Sequence, residues 1–83
     1  MRNVRGVIKT DKPLSDSIST LEELGKAIRY KRTSLGLSIK KTSSLCNISD
    51  KTLQAVEKGN ESKLSTILNL TKMLGLKLNI QGL

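Results

Sequence analysis

Histidine, phenylalanine and tryptophan are absent from this 83-residue chain, and cysteine, proline and tyrosine occur once each. Without an imidazole there is no ordinary general base near neutral pH, and nothing to ionise the single thiol, Cys46. Catalysis therefore finds no support, and the chain is not expected to be an enzyme. A Cys/His metal cluster is excluded by composition, and neither metal nor cofactor is expected. One cysteine cannot form an intrachain disulfide and fits a reducing compartment. No apolar run approaches the roughly 18 residues of a membrane span, and the N-terminus lacks a hydrophobic signal segment. The expectation is a cytoplasmic protein, with no membrane partner.

Acidic residues are also scarce. Seven Asp and Glu face fifteen Lys and Arg, giving a net charge of +8 and an isoelectric point near 10.0. Such a surface attracts polyanions, nucleic acid first among them. The length suits one small domain. Seven Ile, fourteen Leu and three Val can build a core, and an aliphatic core without large aromatic rings suits helices.

Residues 1–19 differ in character from the rest. Arg2, Arg5, Lys9 and Lys12 accompany Asp11, and Pro13 interrupts any regular element. A short strand over residues 4–8 is weakened by Gly6, so a mobile basic arm is expected, either solvated or laid on phosphates or a partner.

The first helix opens at Thr20-Leu21-Glu22-Glu23, a capping box. Leu21, Leu24, Ala27, Ile28 and Leu35 follow at helical spacing as the apolar stripe, and Gly36 supplies the stop. Ser38 reads as the N-cap of a second helix over residues 39–46, ended by Asn47. Ser49 caps a third over residues 50–58, stopped by Gly59, with Asp50 in its first turn suiting the helix dipole. Ser62 reads as the cap of a fourth helix over residues 63–74, with Leu64, Ile67, Leu68, Leu70 and Leu74 inward and Gly75 at its end. Beyond it the period changes: Leu76, Leu78 and Ile80 alternate with Lys77, Asn79 and Gln81, a strand pattern. With no convincing partner strand in the same chain, a second copy is the natural supplier.

The second and third helices are short, and only Asn47, Ile48 and Ser49 separate them. That spacing predicts a helix-turn-helix, whose second helix enters a major groove. On the third helix Leu53 and Val56 face inward, leaving Asp50, Lys51, Gln54 and Lys58 outside.

Leu24-Gly25, Gly36-Leu37-Ser38, Ile48-Ser49, Thr52-Leu53, Val56-Glu57-Lys58-Gly59 and Leu74-Gly75 together resemble the framework of the Xre (phage repressor and Cro-like) helix-turn-helix family across residues 21–75. Within that family, the segment from Leu64 to Ile80 is similar to HipB-like antitoxins. That resemblance implies C-terminal strands paired across a homodimer and a HipA-type kinase toxin as partner. The resemblance to the Xre family implies base-reading positions at Asp50, Lys51 and Gln54, with Ala55 near a thymine methyl, and a partly buried ion pair between Arg32 and Glu57. The chain departs from the family pattern at Ile39 (usually Gln), at Thr42 and Ser43 (Leu and Ala), and at Asn47 (Gly). Cys46 stands where family members have Leu and is expected to be buried filler. Ser38, Lys40 and Lys41 keep a phosphate-binding role: an N-cap hydroxyl, helix-end amides and two ammonium groups. Lys can donate to guanine, Gln can bracket adenine, and Asp can accept from cytosine. Asp50 beside phosphates must either contact cytosine or be neutralised by Lys51 or another cation.

The reading is an all-α, compact helix-turn-helix domain of four to five helices with a short C-terminal β-strand pairing across a dimer. Its parts are a basic arm (1–19), the helix-turn-helix domain (20–75) and a dimerisation strand (76–83) carrying Leu76, Leu78 and Ile80. The DNA-contact set is Ser38, Lys40, Lys41, Ser49, Asp50, Lys51, Thr52, Gln54 and Lys58. The expected function is sequence-specific repression at a palindromic operator in the bacterial nucleoid, as the antitoxin of a toxin-antitoxin pair that autoregulates its operon. The alternatives are an antitoxin that mainly restrains a kinase toxin and binds DNA weakly, and a free-standing regulator.

Overall fold

The computed structural model describes residues 7–10, 17–80 and 82. Four helices follow in order: α1 (Leu21–Ser34), α2 (Ile39–Cys46), α3 (Asp50–Glu57) and α4 (Leu64–Met73). The basic arm's Arg2, Arg5 and Lys12, with Val4, Asp11 and Pro13, lie outside the described residues, as does Gln81 of the tail. Among the described residues no helix is long and apolar enough to cross a membrane.

Apart from the start of α4, the helices begin and end where local chemistry supplies partners for the end groups. At α1 the Thr20 hydroxyl accepts from the Glu23 N–H at 3.1 Å, and the Glu23 carboxylate accepts from the N–H groups of Thr20 (3.1 Å) and Ser19 (2.8 Å). The first four N–H groups of a helix have no intrahelical acceptor, which makes a cap of this kind worth about 1 kcal/mol. Ser38 and Ser49 cap α2 and α3. The C-terminal ends share one device. Gly36, Gly59 and Gly75 adopt positive φ of 74°, 88° and 74°, and Asn47 does so at 56°. In each case two backbone N–H groups fold back onto the last turn, as in Leu37 to the Arg32 carbonyl and Ile48 to the Ser43 carbonyl at 3.0 and 2.9 Å. Asn tolerates this left-handed conformation, so the turn between α2 and α3 forms without a glycine.

α4 departs from the expected start. Its N-cap is Lys63, which has extended backbone and makes no side-chain cap bond, so Ser62 sits one residue too early to cap. With residue 63 outside the helix, the first free N–H groups lie beyond the Ser62 hydroxyl.

Ile28, Leu53, Val56, Ile67, Leu70 and Leu74 form the buried core, and Leu24, Leu37, Ile39, Cys46, Ile48 and Leu76 pack around it. Burying such a side chain is worth about 1.5–3 kcal/mol. α3 packs on both α1 and α2, and α2 also packs on α4. Close approach of α1 to α3 depends on Gly25: a Cβ there would lie 2.5 Å from the Val56 carbonyl oxygen and 2.6 Å from that of Glu57. Four of the residues read as inward are instead exposed. Leu21 is the first residue of α1 and Leu35 its C-cap, and both are exposed. On α4 the buried line is Ile67, Leu70, Thr71 and Leu74, at i, i+3, i+4 and i+7. Leu64, in the first turn, is 68% exposed, and Leu68, about 100° around the helix from Ile67, stays on the solvent flank.

Two described pieces flank the helices. Val7 is buried, and the Thr10 N–H donates to the Thr33 hydroxyl at 3.4 Å, so residues 7–10 lie against the end of α1. Residues 76–80 contain no strand. A strand exists only by pairing, and no described segment of the chain is paired with them.

Candidate nucleic-acid interface

α2 and α3, each eight residues long, are joined by Asn47, Ile48 and Ser49. The left-handed Asn47 reverses the chain, and half-buried Ile48 pins the turn to the core. α3 then lies with Leu53 and Val56 fully inward. Helical periodicity therefore leaves Asp50, Lys51, Gln54 and Lys58 exposed on its outer side, with Thr52 and Ala55 half-buried. Ser49 is exposed, and its hydroxyl accepts from the Thr52 N–H at 3.0 Å and meets the Thr52 hydroxyl at 2.9 Å.

The start of α2 lies on the same connected unit. The Ser38 hydroxyl accepts from the Lys41 N–H at 3.0 Å and keeps its own proton to donate. Lys40 and Lys41 are exposed. Ile39 packs against the core, which is why an apolar side chain stands there. Lys40, Lys41, Lys51 and Lys58 give the α2–α3 surface its positive charge.

α3 is held from behind at both ends. At its C-terminal end Glu57 receives Arg32 of α1 in a two-point contact, Nε to Oε2 at 2.6 Å and Nη2 to Oε1 at 3.0 Å, with both side chains 7% exposed. Arg32 Nη1 also donates to the Leu37 carbonyl at 2.7 Å, tying in the loop that leads to α2. At the N-terminal end the hydroxyl of Ser43, which is 2% exposed, donates its single proton to the Asp50 carboxylate, with the Lys40 carbonyl 3.1 Å away as the competing acceptor of that proton. The sequence alone does not reveal this bond: it leaves Asp50 either to contact cytosine or to be neutralised by Lys51 or another cation. The available signal was the small hydroxyl residue at position 43, seven residues before Asp50 and across the turn. Beside it, Thr42 is fully buried with its Oγ1 unpartnered.

Cys46 is half-buried among the core's outer members, and burial pushes its thiol pKa up. A thiol kept protonated in this way is a poor nucleophile. Among the described residues no group of three His, Cys, Asp or Glu is placed to hold a metal.

The tail residues fall into two groups. Leu76 packs on the core, whereas Leu78 is 49% and Ile80 97% exposed. Leu76 and Leu78 line one side of an open groove of about 450 Å³ whose other side includes Leu68 and Thr71 of α4.

This arrangement offers hydrogen-bonding side chains on a braced helix, flanked by ammonium groups. It is equipped to bind a polyanion in a fixed register. A family model described as helix-turn-helix matches residues 28–81. No curated protein matches the chain.

Proposed function

The chain belongs to the helix-turn-helix family and is a DNA-binding regulator of the Xre type, and from that premise we propose that it represses transcription at a palindromic operator. The observation that carries this reading is the row Asp50, Lys51, Gln54 and Lys58, exposed on a helix whose other side is locked to α1 and α2. Lys51 and Gln54 read base edges in the major groove, with Asp50 at the head of the same helix. Ser38, Lys40, Lys41, Ser49, Thr52 and Lys58 hold phosphates and set the register. Two copies present two such helices about 34 Å apart, one turn of duplex. Leu76, Leu78 and Ile80 join the copies as paired C-terminal strands. Nothing is catalysed, and repression follows from occupying a promoter.

The similarity of residues 64–80 to HipB-like antitoxins supports a narrower role: the antitoxin of a kinase toxin, autoregulating its own operon from the bacterial nucleoid. A second reading is favoured by Ile39, whose place in the core removes a family DNA contact: the chain would then mainly restrain a HipA-type kinase, with weak DNA binding. Footprinting on the chain's own promoter separates these. Two protected half-sites one helical turn apart support repression. An unprotected promoter, together with a stoichiometric kinase co-purifying from native cells, supports the second reading. A protected promoter without such a kinase identifies a free-standing regulator.

A further inference from the structure

We propose that Ser43 and Asp50 form a preset acceptor that reads the exocyclic amine of cytosine, Ser43 being the positioning residue and Asp50 the reader. The proposal rests on the DNA-binding reading and deepens it. Asp50 is the first residue of α3 and is exposed, while Ser43 behind it is 2% exposed. The Ser43 hydroxyl donates its one proton to a carboxylate oxygen of Asp50, the anionic acceptor winning it over the Lys40 carbonyl 3.1 Å away. A carboxylate carries about four lone-pair sites and no proton, so acceptor capacity remains after this bond. Among the described residues no lysine or arginine is seen in a salt bridge with Asp50.

A carboxylate beside phosphates is repelled unless a donor meets it. In the major groove the donors on base edges are cytosine N4 and adenine N6. Adenine N6 lies beside N7, an acceptor whose lone pair opposes a carboxylate, whereas cytosine N4 has only a C–H neighbour. Cytosine is therefore selected over adenine, and guanine and thymine, which present O6 and O4 acceptors, are rejected. The buried hydroxyl makes this selective by removing the rotamer freedom through which an exposed Asp would turn away from a mismatched base.

The test measures binding of the full chain to duplex libraries varied one base pair at a time across the protected operator. In the wild type one position per half-site prefers cytosine by about 5- to 30-fold. Asp50→Asn keeps an oxygen to accept from Ser43 and turns an N–H₂ toward the groove. At that same position preference moves to guanine or thymine. Ser43→Ala flattens the preference at that position alone, leaving positions read by Lys51 and Gln54, and affinity for random duplex, within about twofold. Circular dichroism verifies that both variants are folded. If Asp50→Asn strengthens all sequences equally, Asp50 is only a helix-end staple and the proposal falls while DNA binding stands. If the wild type binds no duplex at all, the DNA-binding reading itself falls and this proposal with it.

Discussion

Arg32 and Glu57, 25 residues apart in the chain, meet through two hydrogen bonds, one to each carboxylate oxygen, in a setting where each side chain is 7% exposed. Pairing of this geometry fixes the angle between α1 and α3, because the planar guanidinium has one orientation that serves both carboxylate oxygens and the Leu37 carbonyl at once. Removing one partner leaves a buried charge without compensation, which costs about 3–5 kcal/mol, whereas replacing both by aliphatic groups is often close to neutral. Glu57→Ala is therefore expected to lower the urea midpoint far more than the double change Arg32→Leu with Glu57→Leu. Equal losses in both would show that the pair contributes through packing and not through charge.

Thr42 is the reverse case. Its hydroxyl is buried on α2 with no partner, and a buried polar group without a hydrogen bond costs about 1–3 kcal/mol. Val has nearly the same shape and similar helix propensity. Thr42→Val is expected to raise unfolding stability by about 1 kcal/mol, seen as a higher urea midpoint with unchanged slope. A loss of stability would reveal a hydrogen bond to an ordered buried water.

What the sequence made legible is what is settled within one turn of chain. The Thr20–Glu23 box, the Ser38 and Ser49 caps and the left-handed Asn47 each involve groups three or four residues apart, so residue identity nearly determines them. Periodicity likewise separates Leu53 and Val56 from the exposed Asp50, Lys51 and Gln54. It gives the phase of a helix but not the extent of its neighbour, which is why Leu21, Leu35, Leu64 and Leu68 were assigned to a core that does not reach them. The Ser43–Asp50 bond has no local signal, because it exists only once the turn has brought two helices together. Only resemblance to the family points to Arg32–Glu57, since nothing local links positions 32 and 57.

Lysines of α2 and of α3 should act differently on DNA. Lys40→Ala and Lys41→Ala remove phosphate charge, so operator and random duplex weaken alike and the slope of log affinity against log salt shrinks by about 1 per contact. Lys51→Ala and Gln54→Ala should instead reduce discrimination between operator and random DNA by about 1–3 kcal/mol. Fluorescence anisotropy at several salt concentrations distinguishes the classes. The wild-type dimer, with six to ten phosphate contacts, is expected to lose roughly 10³ to 10⁵ in affinity between about 50 and 200 mM salt. A flat titration would remove phosphate binding from the account, and base preference altered by Lys40 but not by Lys51 would move the recognition surface to α2.

The tail carries the last prediction. Ile80 is 97% and Leu78 49% exposed, Leu78 lines the same groove as Leu68 on the uncovered flank of α4, and Leu76 is already anchored on the core. Two tails paired across a twofold axis would satisfy one another's backbone groups and cover those side chains with the neighbouring α4 flanks. Lone two-stranded ribbons are marginal, so the helix contact is what stabilises the joint. The double change Leu78→Asp and Ile80→Asp touches none of the six buried core residues, so the helices stay folded while the dimer separates. Operator affinity then collapses, because two half-sites are no longer read by one linked body and the advantage of about 10² or more from effective concentration is lost. Sedimentation gives the answer directly. A dimer that survives both aspartates joins through another surface, and the paired-strand assignment of Leu76, Leu78 and Ile80 is then wrong.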